Sequence, residues 1–137
     1  MLAKAELIHL RTLETLQVSW NPAEYTVDKL QRFAAPPVLG SGPVPVGLSA
    51  GGTERFCARL FLDSTDRMGP ERDLRRIVDR LEGWAEPEAG PGLPPRLLFH
   101  WGTFRFRGVI ESLREEWVHF DADGTPVRAW VDLTLRR

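Results

Sequence analysis

The sequence has few of the residues that usually carry chemistry. Its 137 residues include one cysteine and three histidines, so an internal disulfide and a cysteine-based metal site are both excluded. The histidines are scattered along predicted strands, without the short spacing of metal ligands. No glycine-rich stretch has the pattern of a phosphate loop, and no serine lies in a nucleophile elbow. These absences predict no catalytic residue, no cofactor and no bound metal.

Net charge and long apolar runs are absent as well. The chain has 18 basic and 19 acidic residues, a net charge of −1. It therefore offers no electrostatic argument for nucleic acid or an anionic membrane as a partner. No segment approaches the ~20 apolar residues of a membrane helix, and the N-terminus MLAKAELIHL lacks the apolar core of a signal peptide. We expect one domain, residues 1–137, that stays in the cytoplasm and binds neither nucleic acid nor membrane.

What the sequence does contain is a series of predicted strands. AKAELIHL and LETLQVSW are typical of two joined strands, with Leu16, Val18 and Trp20 on one face of the second. A long strand over Phe104–Phe120 is predicted to bend at Gly108, and the turn DADGTP leads into the last strand. That strand alternates at period two, with one face formed by Val127, Ala129, Val131, Leu133 and Leu135. Its other face is formed by Arg128, Trp130, Asp132, Thr134 and Arg136.

One helix is predicted over about 70–83, in PERDLRRIVDRLEGW. Pro70 suits a first helical position, Gly83 can end the helix, and Leu74 and Val78 belong to a single apolar stripe. About six or seven strands and one helix indicate a mainly β (α+β) fold. We expect an antiparallel β-barrel or a curled β-sandwich with one flanking helix.

The range 31–52 is irregular but too apolar for a simple solvated linker. Its prolines and glycines argue against a helix or a central strand. Its apolar residues indicate that it covers either its own barrel or a neighbouring subunit. They are Phe33, Val38, Val44, Val46 and Leu48.

The stretch FRFRG allows two interpretations. Aromatic residues between arginines can bind single-stranded nucleic acid. The same alternation is typical of a strand with one buried and one solvated face. The slightly negative net charge favours the strand.

The chain resembles the tube-type baseplate proteins of contractile injection systems, which are phage-tail-like particles. The matching motifs occur in order: NPAEYTV, LSAGGTERF, LFLDSTD and PERDLRRIVDRLEGW. The most specific are WGTFRFRGVIESL and FDADGTPVRAWVDLTL near the C-terminus. Members often carry a LysM module after this domain, and this sequence has none.

The resemblance implies a tail-tube fold and a homohexameric ring whose sheets join around a channel. It implies an adaptor that joins a VgrG-like spike protein to the inner tube protein, contacts other baseplate subunits and initiates the tube. Within the same class, the bulk inner-tube protein is the alternative, and a monomeric ligand-binding β-barrel is a more distant one. Five residues become candidates for lumen or subunit contacts: Arg105, Arg107, Arg128, Trp130 and Asp132. The apolar segment from Phe33 to Leu48 becomes a candidate arm between subunits.

Overall fold

The protein is built from strands and two short helices. A computed structural model describes residues 2–33, 49–88 and 92–137, which form seven strands, a 3-10 helix and an α-helix. None of the described helices is long and apolar enough to cross a membrane. The strands are β1 (Glu6–His9), β2 (Thr15–Gln17), β3 (Tyr25–Phe33), β4 (Ser49–Asp63), β5 (Leu97–Trp101), β6 (Phe104–Phe120) and β7 (Pro126–Arg136). The 3-10 helix is Gly69–Arg72, and the α-helix α1 is Leu74–Gly83.

The strands form one antiparallel sheet of order β2-β1-β5-β6-β7-β4-β3. β6 pairs with β5 over residues 104–108 and with β7 over residues 109–120, and this divides the sheet. We call β2, β1, β5 and the first part of β6 the short half-sheet; the second part of β6, β7, β4 and β3 form the long half-sheet. The halves enclose one core, in which the rings of Phe56 and Phe99 lie 4.4 Å apart. The side of the long half-sheet away from this core is its outer face.

Gly108 lies where β6 passes from the short half-sheet to the long one. A Cβ atom at this position would be 2.5 Å from the carbonyl oxygen of Arg136. Backbone atoms cannot move aside as a flexible side chain can, so only glycine fits this close approach. The sheet thus divides at the glycine where the sequence predicts a bend.

Helix α1 packs against the core through the apolar stripe predicted for it. Leu74, Val78 and Leu81 are at most 1% exposed. The helix begins later than the predicted range of about 70–83, because Asp73 is extended and its carboxylate accepts a hydrogen bond from the Arg75 N–H as an N-cap. Pro70, predicted as the first α-helical residue, belongs to the preceding 3-10 helix.

The sheet does not close into a barrel within the described residues. Of the two architectures expected, the curled sandwich is the one observed. The prediction that Trp20 shares the buried face of Leu16 and Val18 is wrong, because its side chain is 65% exposed and theirs are 4% and 1% exposed. The alternation ends at Ser19, whose hydroxyl hydrogen-bonds both the N–H and the C=O of Asp63.

The range 31–52, predicted as an arm, is partly strand. Residues 31–33 end β3, residues 49–52 begin β4, and Phe33 pairs with Ser49. Residues 34–48, which include Val38, Val44, Val46 and Leu48, lie outside the described residues. The inter-subunit arm therefore stays a prediction.

Candidate functional site

The outer face of the long half-sheet carries three of the five residues predicted to contact a lumen or a subunit. Arg128, Trp130 and Asp132 alternate along β7 with side chains that are fully buried. Successive side chains of a strand point to opposite faces, so these three lie side by side on the outer face. The alternation predicted for β7 is confirmed.

The side chain of Arg59, on β4, reaches across β7 and contacts three side chains in the middle of this face. Its Nη2 donates to Oε2 of Glu116, on β6, at 2.7 Å, and its Nε is 3.7 Å from Oδ1 of Asp132. The guanidinium lies over the indole of Trp130, 4.6 Å from the ring centroid, and the centroids of the Phe61 and Trp130 rings are 4.6 Å apart. The indole therefore contacts both a cation and an aromatic ring.

A second arginine of β4 makes the same kind of link across β7. Both Nε and Nη2 of Arg55 donate to the carboxylate of Glu111, on β6, at 2.7 and 3.0 Å. This bidentate bond lowers the pKa of Glu111 below its usual value. Because Arg55 and Arg59 are four residues apart and lie on the same face of β4, both links cross the same side of β7.

Asp63 and Arg128 form a third ion pair, at the end of the outer face opposite to Arg55 and Glu111. Burial opposes the ionisation of Asp63, but hydrogen bonds from Thr65 and the charge of Arg128 outweigh it, so the pKa of Asp63 lies below its usual value. Nε of Arg128 donates to Oδ2 of Asp63 at 3.2 Å. Exposed ion pairs of this kind add little to stability, so their main effect is to neutralise the face and fix its side chains.

Arg105 and Arg107 are not part of this group. Both are exposed and lie in the first part of β6, opposite His100 and Leu98 of β5. That part of β6 belongs to the short half-sheet. The structure therefore brings Arg128, Trp130 and Asp132 together and leaves the other two candidates on a different half-sheet.

Two edges of the long half-sheet have no neighbouring strand among the described residues. β3 pairs only with β4, and residues 109–120 of β6 pair only with β7. Each edge therefore presents backbone N–H and C=O groups that another strand can pair with. Periodicity within a strand does not show which strands lie at the edges of a sheet, so these edges could not be predicted from the residue pattern alone.

Glu115 is a functional candidate that the sequence did not reveal. It lies on β6 next to the ion-paired Glu116, but faces α1 and meets the carboxyl group of Glu82. Burial, then the hydrogen bond to Glu82 and its charge, raise the pKa of Glu115 to about 7. Two adjacent glutamates are typical of a solvated edge, and only the position of α1 separates the roles of Glu115 and Glu116.

The described residues contain no group of three or more histidine, cysteine or acidic side chains that could hold a metal. His9 is buried at a turn, where its Nδ1 accepts hydrogen bonds from the N–H groups of Arg11 and Thr12. The space between the half-sheets is filled by rings, including Phe56, Phe99 and the neighbouring Phe106. The interior of the sandwich is a packed core.

The family model described as "Contractile injection system tube protein" matches residues 4–137. No curated protein matches the chain.

Proposed function

We propose, from the premise that this chain belongs to the contractile injection system tube protein family, that it is a baseplate adaptor of such a particle. It forms a homohexameric ring between the spike and the inner tube and initiates polymerisation of the tube. The role is structural and involves no catalysis. Its partners are further copies of itself, the inner tube protein, a VgrG-like spike protein and other baseplate subunits.

The observation that carries this proposal is the direction of the two open edges. In the order β6-β7-β4-β3 every neighbour is antiparallel, so the second part of β6 and β3 run in opposite directions. When copies with the same orientation stand side by side, β3 of one copy meets β6 of the next in antiparallel pairing. The sheet then continues from copy to copy, and a closed ring leaves no open edge.

The outer face of the long half-sheet suits the wall of a lumen. Its arginines and carboxylates are largely paired with one another, in Arg55–Glu111, Arg59–Glu116 and Asp63–Arg128. Because these charges neutralise one another, such a wall would not bind strongly to a positively or negatively charged molecule that moves through the channel. In this arrangement Arg128, Trp130 and Asp132 face the channel.

The arm is proposed as a contact between subunits. β3 and β4 form a hairpin whose pairs continue beyond Asp28–Arg55 to Phe33–Ser49, whereas β7 ends at Arg136, opposite Arg55. Among the described residues this end of the hairpin has no third strand, and a two-stranded ribbon is marginally stable alone. We propose that the apolar residues of the segment 34–48, which connects β3 to β4, contact an adjacent subunit or layer.

Two measurements test the adaptor role. Electron microscopy of particles from a strain lacking this gene should show spike complexes without tubes, and normally assembled contractile particles would contradict the proposal. Quantitative mass spectrometry of intact particles should find the copies of a single hexameric ring. A copy number that grows with tube length supports the bulk inner-tube protein instead.

A monomeric ligand-binding barrel is the alternative from another class. The packed core between the half-sheets disfavours it, because such proteins hold the ligand in a cavity. Mass photometry of the purified chain separates the two. A hexamer supports the ring, and a monomer at every accessible concentration supports the alternative.

A further inference from the structure

We propose that β3 of one copy pairs with the second part of β6 of the next in a single register, with Asp28 opposite Arg114 and Lys29 beside Glu115. This inference rests on the proposed ring and identifies the residues that determine which edges pair and in what alignment. It is carried by charges that form no ion pair with any described residue of the same chain.

On the outer face, each of the two open edges carries one charged residue that forms no ion pair with a described residue: an aspartate on β3 and an arginine on β6. Asp28 is exposed on β3 and stands opposite Arg55, whose guanidinium is held by Glu111. Arg114 is exposed on β6, opposite Asp132. Among the described residues, neither Asp28 nor Arg114 takes part in an ion pair, although most charges between them do. Asp28 interacts electrostatically with Arg55 but forms no ion pair with it, so each edge presents a charge that a residue of an adjacent strand can pair with.

On the core side of the same two strands the signs are reversed. Lys29 follows the alternation of Tyr25 and Val27, which face the core, and it is exposed without an ion pair to any described residue. Glu115 faces Glu82 across the helix–sheet contact, where burial and the second carboxyl group raise the pKa of Glu115 even though the charge of Arg75 acts in the opposite direction. Two adjacent carboxylates repel each other, and a nearby ammonium group relieves that repulsion.

A single register satisfies both faces. If Asp28 lies directly opposite Arg114 in antiparallel pairing, Val27 lies opposite Glu115. Lys29 is then the diagonal neighbour of Glu115, a distance that long side chains span. The same register places Tyr25 opposite Trp117, so two aromatic residues meet on the core side.

This register also gives the stagger that a closed ring of strands requires. Within one copy, the ladder row of Asp28 runs through Arg55 and Arg136 to Val109. Arg114 is five residues beyond Val109, and one of these is the extra residue of the bulge between Ile110 and Ser112, which leaves 5 − 1 = 4 ladder positions. Four positions over four strands is one position per strand. With a rise of about 3.3 Å and a strand spacing of about 4.8 Å, the strands tilt by about 35°, within the range of closed barrels.

The same charges disfavour symmetric pairing of like edges. In the two-fold register centred on Asp28, two β3 edges place this residue opposite itself, and two β6 edges do the same with Arg114 in the register centred there. Like charges directly opposite each other are destabilising, so these two symmetric registers are less favourable than the head-to-tail contact. Head-to-tail contacts are the kind that close into rings.

Charge exchange tests the pairing in the full chain. Asp28→Arg or Arg114→Asp alone should raise the concentration for half-maximal ring assembly in mass photometry by at least about tenfold, because like charges then face each other at every contact. The double variant Asp28→Arg/Arg114→Asp should recover most of the loss. Asp79→Arg and Arg76→Asp, on the exposed side of α1, are charge-matched controls. Circular dichroism establishes that each variant is folded.

Disulfide trapping tests the register itself. In a Cys57→Ser background, Asp28→Cys/Arg114→Cys should give covalent oligomers on oxidation, because directly opposite residues lie within disulfide distance. Thr26→Cys/Arg114→Cys, two residues out of register, should remain uncrosslinked. Wild-type rings whose assembly is unchanged in the single charge variants, or crosslinks only in the out-of-register pair, overturn the inference and leave the proposed ring standing. A wild-type chain that never assembles overturns both.

Discussion

The contact between Glu115 and Glu82 makes the stability of the isolated chain depend on pH. In the folded chain, burial and the neighbouring Glu82 raise the pKa of Glu115 from 4.5 to about 7. Between these values the unfolded chain has lost the proton that the folded chain still holds. The unfolded state then binds fewer protons, so the free energy of unfolding falls as the pH rises. The contribution is fully present below pH 4.5 and is lost as the pH passes 7.

The size of the effect follows from the shift and the exposure of the site. A difference of about 2.5 pKa units corresponds to an upper bound of about 3 kcal/mol. Solvent screens a carboxyl group that is only partly buried, and this reduces the expected loss to about 1–2 kcal/mol. Replacing Glu115 with glutamine removes the charge but keeps the shape, so Glu115→Gln should be more stable than the wild-type chain above pH 7 by this amount. Below pH 4.5 the two should have nearly equal stability.

Urea unfolding followed by tryptophan fluorescence measures this difference at pH 4.5, 6, 7 and 8. Protein concentrations below the assembly threshold keep the measurement on single chains. Other groups contribute to the pH dependence of wild type and variant alike, so the informative quantity is the difference in the free energy of unfolding between variant and wild type at each pH. Glu86→Gln, at an exposed site after α1, is the matched control and should leave the difference flat.

Two results would refute the reasoning. If the stability difference between Glu115→Gln and wild type is the same at pH 4.5 and pH 8, the folded chain does not raise the pKa of Glu115. If Glu82→Gln leaves the pH dependence unchanged, the neighbouring carboxyl group is not part of the cause. The double variant should gain less than the sum of the two single gains, because either substitution alone removes the repulsion.

Three further predictions concern the fold and the arm. Gly108→Ala should destabilise the chain by about 1–3 kcal/mol in urea unfolding, because its Cβ meets the carbonyl of Arg136; an unchanged midpoint would contradict the close approach. Arg72→Met should lower the thermal midpoint, since Arg72 makes two hydrogen bonds to Asp121 and joins the 3-10 helix to the β6–β7 turn; Arg76→Met, on the exposed side of α1, is the control. Replacing residues 34–48 with Asn-Gly closes the hairpin where β3 and β4 already pair, so the monomer should stay folded and ring or layer association should weaken. Unchanged assembly would count against the arm.

The parts of the fold that follow from short-range periodicity were predictable. The alternation of β7 and the apolar stripe of α1 depend on neighbours within the same element, and both are confirmed. The sequence predicts the start of α1 too early, because Pro70 suits a 3-10 helix as well as an α-helix and the cap at Asp73 decides between them. The prediction for Trp20 is wrong, because the contact of Ser19 with Asp63 that ends the alternation joins residues 44 positions apart.

The candidate site was predictable only in part, for a related reason. Arg128, Trp130 and Asp132 share a face because they alternate on one strand, which the sequence shows directly. The arginines that pair with carboxylates across this face are Arg55 and Arg59, on β4. They reach it because β4 is the neighbour of β7 in the sheet, and this strand order cannot be predicted from the alternation within one strand. The raised pKa of Glu115 is harder still to predict, because it depends both on the strand order and on the position of the helix that packs over the sheet.

Glu115 also connects the stability of one chain to the assembly of several. In the single chain its ionisation is unfavourable, because burial and then the carboxyl group of Glu82 outweigh the favourable charge of Arg75. In the proposed ring, Lys29 of the adjacent copy is the diagonal neighbour of Glu115 and favours its ionised form. Rising pH therefore weakens the isolated fold and strengthens the contact between copies. In the proposed ring, ionised Glu115 thus destabilises the free subunit and stabilises the contact between subunits. Both effects shift the equilibrium from free subunits towards the ring.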